Sequence, residues 1–148
     1  MKKHCKNSLG KAARANSRCA KNKARGLKLL PYPIRENLPI LGSQQRLGGQ
    51  AKVLTRWFTP DGSRAWYITE GSARRDPDGK AVDYLLYGLV EGERRELDYF
   101  WLSDLATLRS STGLPVQRDS HWQPKTLQEI APQMFRSQGN HQTGKGRI

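Results

Sequence analysis

The stretch FTPDGSRAWYITEG, residues 58–71, decides how this chain is read. Pro60 fixes φ, Asp61 offers a side-chain acceptor and Gly62 tolerates positive φ, so the centre predicts a tight turn. Before it, Val53, Thr55 and Trp57 alternate with Leu54, Arg56 and Phe58; after it, Trp66 and Ile68 alternate with Tyr67 and Thr69. Alternation of β-branched and aromatic residues is the signature of a strand. The chain therefore turns back on itself here, as a hairpin of strands over 52–58 and 64–70.

Further strands follow outward from the hairpin. Residues 71–80, with Arg74-Arg75-Asp76-Pro77-Asp78-Gly79, read as a polar loop. VDYLLYGLV, 82–90, is nearly continuous in apolar residues, as in a central strand buried on both faces. After a charged turn around Gly92, LDYFWL, 97–102, gives a fourth strand. Ser103 stands at an N-cap position with Asp104 behind it, predicting a short helix over 104–109 that Gly113 stops. Thr126-Leu127-Gln128-Glu129 fits a capping box and predicts a second short helix, limited by Pro132. On the N-terminal side, Leu30-Pro31-Tyr32-Pro33 and Leu38-Pro39 predict extended backbone at the edge of the module.

The fold class is α+β, an antiparallel four-stranded meander with two short helices, flanked by disordered basic tails. Residues 1–30 form a basic arm, 31–135 a single α+β module and 136–148 a flexible basic tail. At 148 residues the chain is too short for two independent cores. The strand pattern leaves one question, which is where the rings go. Leu97, Tyr99 and Trp101 oppose Asp98, Phe100 and Leu102. Either both faces are packed, one by the helices and one by segment 38–47, or one face shows rings that stack bases or seat a partner's apolar anchor. Packed core is the reading taken, because a base-stacking sheet wants cations beside its rings and the middle of the chain is neutral.

Charge is partitioned sharply. The net charge is +13; residues 1–30 hold ten Lys or Arg and no acid, residues 31–135 hold thirteen of each sign, and 136–148 add three bases. A neutral module with basic arms is the pattern expected for contact with a polyanion. Lys11, Arg14, Arg18, Lys21 and Arg25 recur at spacings of three and four, so a helical arm would carry them along one face; with Lys23 and Lys28 they are the candidate nucleic-acid-binding residues. Segment 1–28 has few large aliphatics and predicts disorder when unbound. There is no apolar run for a membrane span and no apolar stretch behind Lys2-Lys3, so a cytoplasmic protein without membrane contact is expected. His4, Cys5 and Cys19 make at most three metal ligands, short of the usual four, and no metal or other cofactor is expected.

The order FTPDGSRAWYITEG, LLYGLVEG, ELDYFWLSDL and GLPVQRDSHWQPKTLQEI, over about residues 38–130, resembles the small bacterial proteins grouped as domain-of-unknown-function family 2958. The resemblance implies a protein encoded on plasmids, integrative elements and similar mobile DNA, with no activity to carry over. Asp98 stands where that family usually has Gly in E-L-G-Y-F, and Gln117 where it often has Glu before Arg118-Asp119. The basic arm lies outside the match.

No catalytic constellation is legible. Arg118, Asp119, His121 and Trp122 form the densest polar cluster, and with Trp66 they are the candidates for a partner surface; the structural alternative is an Arg-Asp pair anchoring an extended segment. Asp61, Glu70, Asp76 and Asp78 raise the alternative of paired carboxylates for a two-metal nuclease, but turn and loop roles account for Asp61, Asp76 and Asp78. No phosphate-binding glycine loop and no nucleophile beside a base occurs. The expectation is a non-enzymatic accessory protein of mobile DNA that binds nucleic acid or a nucleoprotein through its basic arms. The alternatives are a protein-interaction module meeting a host or plasmid protein, such as an inhibitor of a host defence complex, and, behind it, a small metal-dependent hydrolase.

Overall fold

A computed structural model describes residues 28–135. The expected disordered arm, apart from its last residues, and the expected tail over 136–148 lie outside the described residues. The hairpin forms as its turn chemistry requires. Thr59 N–H donates to Arg64 O (3.0 Å) and Gly62 N–H to Thr59 O (2.9 Å), and Gly62 takes φ 79°. Asp61 accepts from the amide and hydroxyl of Ser63 and also from those of Ser111, which ties the turn to a distant loop. These bonds, the Ser111 hydroxyl first, hold the Asp61 carboxyl well below the usual carboxylate range.

Seven strands and three α-helices lie wholly among the described residues: α1 (Tyr32–Glu36), β1 (Lys52–Val53), β2 (Thr55–Phe58), β3 (Ala65–Arg75), β4 (Ala81–Glu91), β5 (Arg95–Trp101), α2 (Leu102–Thr107), β6 (Gln117–Arg118), β7 (Lys125–Thr126) and α3 (Leu127–Ile130). A 3-10 turn over Gln45–Gln50 precedes β1. The main sheet is antiparallel with order β5-β4-β3-β2-β6, and β1 pairs β7 in a second, two-stranded sheet. The expected four-stranded meander is matched only in part: β2 to β5 are consecutive antiparallel strands, but the strand expected over 52–58 is split, Lys52–Val53 going to the second sheet, and a fifth strand, β6, returns to the far edge beside β2. That strand has two residues, pairing Trp57 with Arg118 and Phe58 with Gln117. Too short to show any periodicity, it is held by long-range backbone pairing alone.

Four local expectations are corrected. Segment 31–39 is not extended throughout, because Pro33 falls in the first turn of α1, where a missing N–H costs nothing. Ser103 is not an N-cap: α2 starts at Leu102 with Trp101 as its cap, and Ser103 instead donates its hydroxyl to Asp83 (2.6 Å). Gly113 does not stop that helix, which ends at Thr107; its φ of 84° serves a turn in which Gly113 N–H donates to Ser110 O (2.8 Å). The capping box at Thr126 is as read, with Thr126 Oγ1 accepting from Glu129 N–H (3.2 Å) and Glu129 Oε1 from Thr126 N–H (2.8 Å). The Thr126 amide also holds the Glu129 carboxyl below its usual range. The expected 71–80 loop shrinks to a turn, since β3 runs to Arg75 and only Asp76–Lys80 reverses the chain.

Each face of the sheet carries a packed core, which on the second face covers only part of it. On one, Leu29, Leu30, Trp57, Trp66, Ile68, Leu86, Leu102, Leu105 and Val116 form a core under α1 and α2, with Leu38 packed against it. On the other, Ala51, Val53, Ala65, Tyr67, Leu89, Leu127, Ala131 and Phe135 form a second core under α3 and the 3-10 turn. Leu29 and Leu30, assigned from sequence to the arm, are therefore core residues, at 2% and 0% exposure. A register shift between Ile68 and Glu70 swaps the parity of β3, which brings Glu70 to the second face opposite Tyr87. Glu70 is fully buried; it accepts from the amides of Gly42 and Gln44 and from Gln45 Nε2, so it holds segment 42–45 onto the sheet. Gly88 lies where β3 and β4 press together: a Cβ there would sit 1.9 Å from Tyr67 O.

Candidate functional site

The rings of the opening stretch divide between core and surface. Trp57 and Trp66 are buried, at 0% and 2%, and Trp66, a candidate for partner binding, thus offers no surface to a partner. Trp57 Nε1 is buried without a hydrogen-bond partner, a cost of about 1–3 kcal/mol that burial of the indole offsets. Only the Arg64 guanidinium lies over the Trp66 ring, 5.1 Å from its centroid.

The cluster at 118–122 straddles both faces. Arg118 pairs with Trp57 on the first face, and its Nε donates to Lys28 O (3.3 Å). Lys28 and Arg118, from two separate groups of sequence candidates, line one cavity of about 510 Å³ with Leu29, Pro31, Pro115 and Val116. Its two charged side chains are both cations. This is where the basic arm meets the module. Lys11, Arg14, Arg18, Lys21, Lys23 and Arg25 lie outside the described residues.

Asp119 points to the second face. Its amide donates to Arg56 O (2.9 Å) and its carboxylate faces Arg56 Nη1 at 3.5 Å. Arg56 reaches Tyr67 Oη (3.4 Å), Tyr67 Oη donates to Glu91 (3.2 Å), and Glu91 takes Arg95 Nε at 2.5 Å. The network crosses β6, β2, β3, β4 and β5, and its charges balance in pairs. His121 is exposed, with its amide on Asp119 Oδ1 (3.0 Å). Trp122 is half-buried against Tyr67, centroids 5.8 Å apart, and donates Nε1–H to Val53 O (3.0 Å). These contacts make Asp119 and Trp122 anchors of an extended segment. Among the described residues no group of three His, Cys, Asp or Glu converges as a metal site would require. Asp61 and Asp76 serve turns and Glu70 a loop.

The packed-core reading of the rings is corrected further along the second face, where Tyr99 and Trp101 lie outside both cores. Pairing puts Leu85 opposite Trp101 and Tyr87 opposite Tyr99, on the side of Leu89 and Leu97. Leu89 enters the second core; Leu85, Tyr87, Tyr99 and Trp101 belong to neither core. Tyr99 is 49% exposed and the other three are half-buried. The Tyr87 and Tyr99 rings lie 4.8 Å apart, and the exposed Arg74 holds its guanidinium 5.8 Å from the centroid of Trp101. Gln45 Nε2 donates to Tyr99 Oη (2.8 Å), which ties the 3-10 turn to the rings. Partial burial, then the neighbouring Tyr99 and Glu70, push the Tyr87 phenol up, so it stays neutral. Period-two alternation in 97–101 was the signal for this half-face; that covering ends at Leu89 and Leu97 was not readable.

Neither the curated proteins nor the solved structures yield a match to this chain. The model of a protein family of unknown function, DUF2958, matches residues 32–136, which takes in the whole sheet, the second core, the first core apart from Leu29 and Leu30, and the 118–122 cluster. That is most of the chain, and it leaves out the arm with its ten bases. This chain belongs to the DUF2958 family.

Proposed function

We propose that this protein is a non-enzymatic accessory protein of mobile DNA that binds nucleic acid or a nucleoprotein through its basic arms. The observation that carries the reading is the partition of charge: ten bases and no acid in residues 1–30, equal numbers of each sign in 31–135, and three more bases in 136–148. Within the module bases and acids are equal in number, so the unbalanced charge belongs to the ends. The cavity shared by Lys28 and Arg118 supports the same reading, since it continues the arm's positive charge onto the module. The family resemblance to proteins of mobile elements supplies the setting.

The test is a salt titration of duplex DNA binding by the full chain and by a chain beginning at Lys28, which keeps Leu29 and Leu30 in the core. Five arm cations that each neutralise one phosphate predict a fall in affinity on the order of a few hundredfold between about 50 and about 200 mM salt. The shortened chain is expected to lose most of the affinity and the slope together. A slope that survives removal of the arm would refute the arm as the site.

A further inference from the structure

We infer that the exposed half of the second sheet face, formed by Tyr87, Tyr99 and Trp101 with Arg74 beside them, is a stacking platform for the bases of a single nucleic-acid strand. The inference deepens the proposed function and rests on it for the phosphates: the arms would hold the backbone, and this face would read that the strand is unpaired.

Four observations point to bases over an apolar protein anchor. The rings stand in a ladder on adjacent strands, Tyr87 opposite Tyr99 and Trp101 two residues along the same face, so the surface follows the sheet, with Tyr99 49% exposed on it. Protein anchors are bound in desolvated pockets, whereas bases stack on open rings. The exposed ring tips are polar, with Tyr99 Oη bonded to Gln45. The flanking Arg74 is ion-paired with no described carboxylate and so remains available to a phosphate, while Arg56 and Arg95 are ion-paired. Finally, the nearby acids are turned away or engaged. Glu70 is buried under segment 42–45, Asp83 accepts from the amide and hydroxyl of Ser103, and Asp98 pairs with Gly88 on the opposite face. Duplex DNA keeps its bases stacked internally and cannot use such rings, which sets the expected preference.

The experiment measures full-chain binding to three probes of equal length: an unstructured oligodeoxythymidine, the same strand made abasic, and a duplex. The base-bearing strand is expected to bind on the order of tenfold or more tighter than the abasic strand. Tyr99→Ala and Trp101→Ala are each expected to weaken oligodeoxythymidine binding about tenfold, with abasic and duplex binding unchanged. Tyr99 is half in solvent, so its variant keeps the fold; the abasic comparison on the unaltered chain decides the matter even where Trp101→Ala unfolds. Equal affinity for base-bearing and abasic strands, or ring variants without effect, would overturn the inference and leave the face to an apolar protein partner. The salt slope on duplex reports the arm separately: a slope without base dependence sinks only this platform, and base dependence without a slope sinks only the arm. Failure to bind any of the three probes sinks both.

Discussion

Glu70 shows how a single buried charge shapes the surface around it. A carboxylate at 0% exposure persists only when its acceptor capacity is filled. Here the filling groups are the amides of Gly42 and Gln44, so the charge fixes segment 42–45, which then carries Gln45 to Tyr99. In the sequence Glu70 is one acid at the end of a strand, and only the register shift at Thr69 turns it to the second face. Glu70→Ala leaves two amide donors unpaired under the sheet, and the expected loss of stability is about 3 kcal/mol, measured by urea unfolding. Amide exchange at Gly42 and Gln44 is expected to quicken well ahead of exchange in the sheet. Unchanged exchange at those two amides would mean that segment 42–45 is held by something other than the carboxylate.

Among the elements, those with local chemistry were legible and those made by distant pairing were not. The Pro60-Asp61-Gly62 turn and the Thr126 capping box follow from residues a few positions apart, and both are where the sequence puts them. β6 is invisible beforehand because two residues carry no period, and Ser103 misled because an N-cap residue type was engaged by Asp83, twenty positions away. The 118–122 cluster was found as residues, but its division between two faces depends on β6 pairing. Leu29 and Leu30 were hidden by the ten bases around them, which made composition argue for disorder. Their burial predicts that a chain beginning at Pro31 behaves differently from one beginning at Lys28. Removing two buried leucines is expected to cost on the order of 4 kcal/mol or more, seen as a much lower urea midpoint for the shorter chain. Equal midpoints for the two would show that the pair contributes nothing to the first core.

At the scale of the whole molecule, two cores share one sheet, and the question is whether they melt together. β3 contributes to both, with Trp66 and Ile68 on one face and Ala65 and Tyr67 on the other. Neither face can be lost while the strand stays paired and covered, because a small sheet open on one side cannot offset its ordering entropy. The prediction is one cooperative transition for both faces. Leu105→Ala in the first core and Leu127→Ala in the second are each expected to cost about 2–4 kcal/mol. In either variant, tryptophan emission, which includes the buried Trp57 and Trp66 of the first core, should change at the same urea concentration as far-ultraviolet dichroism. If Leu127→Ala instead moved dichroism ahead of tryptophan emission, α3 and the second core would be a separately melting layer. The ring platform beside that core would then be a surface that opens before the rest, and its binding would depend on the stability of the second core as well as on its own rings.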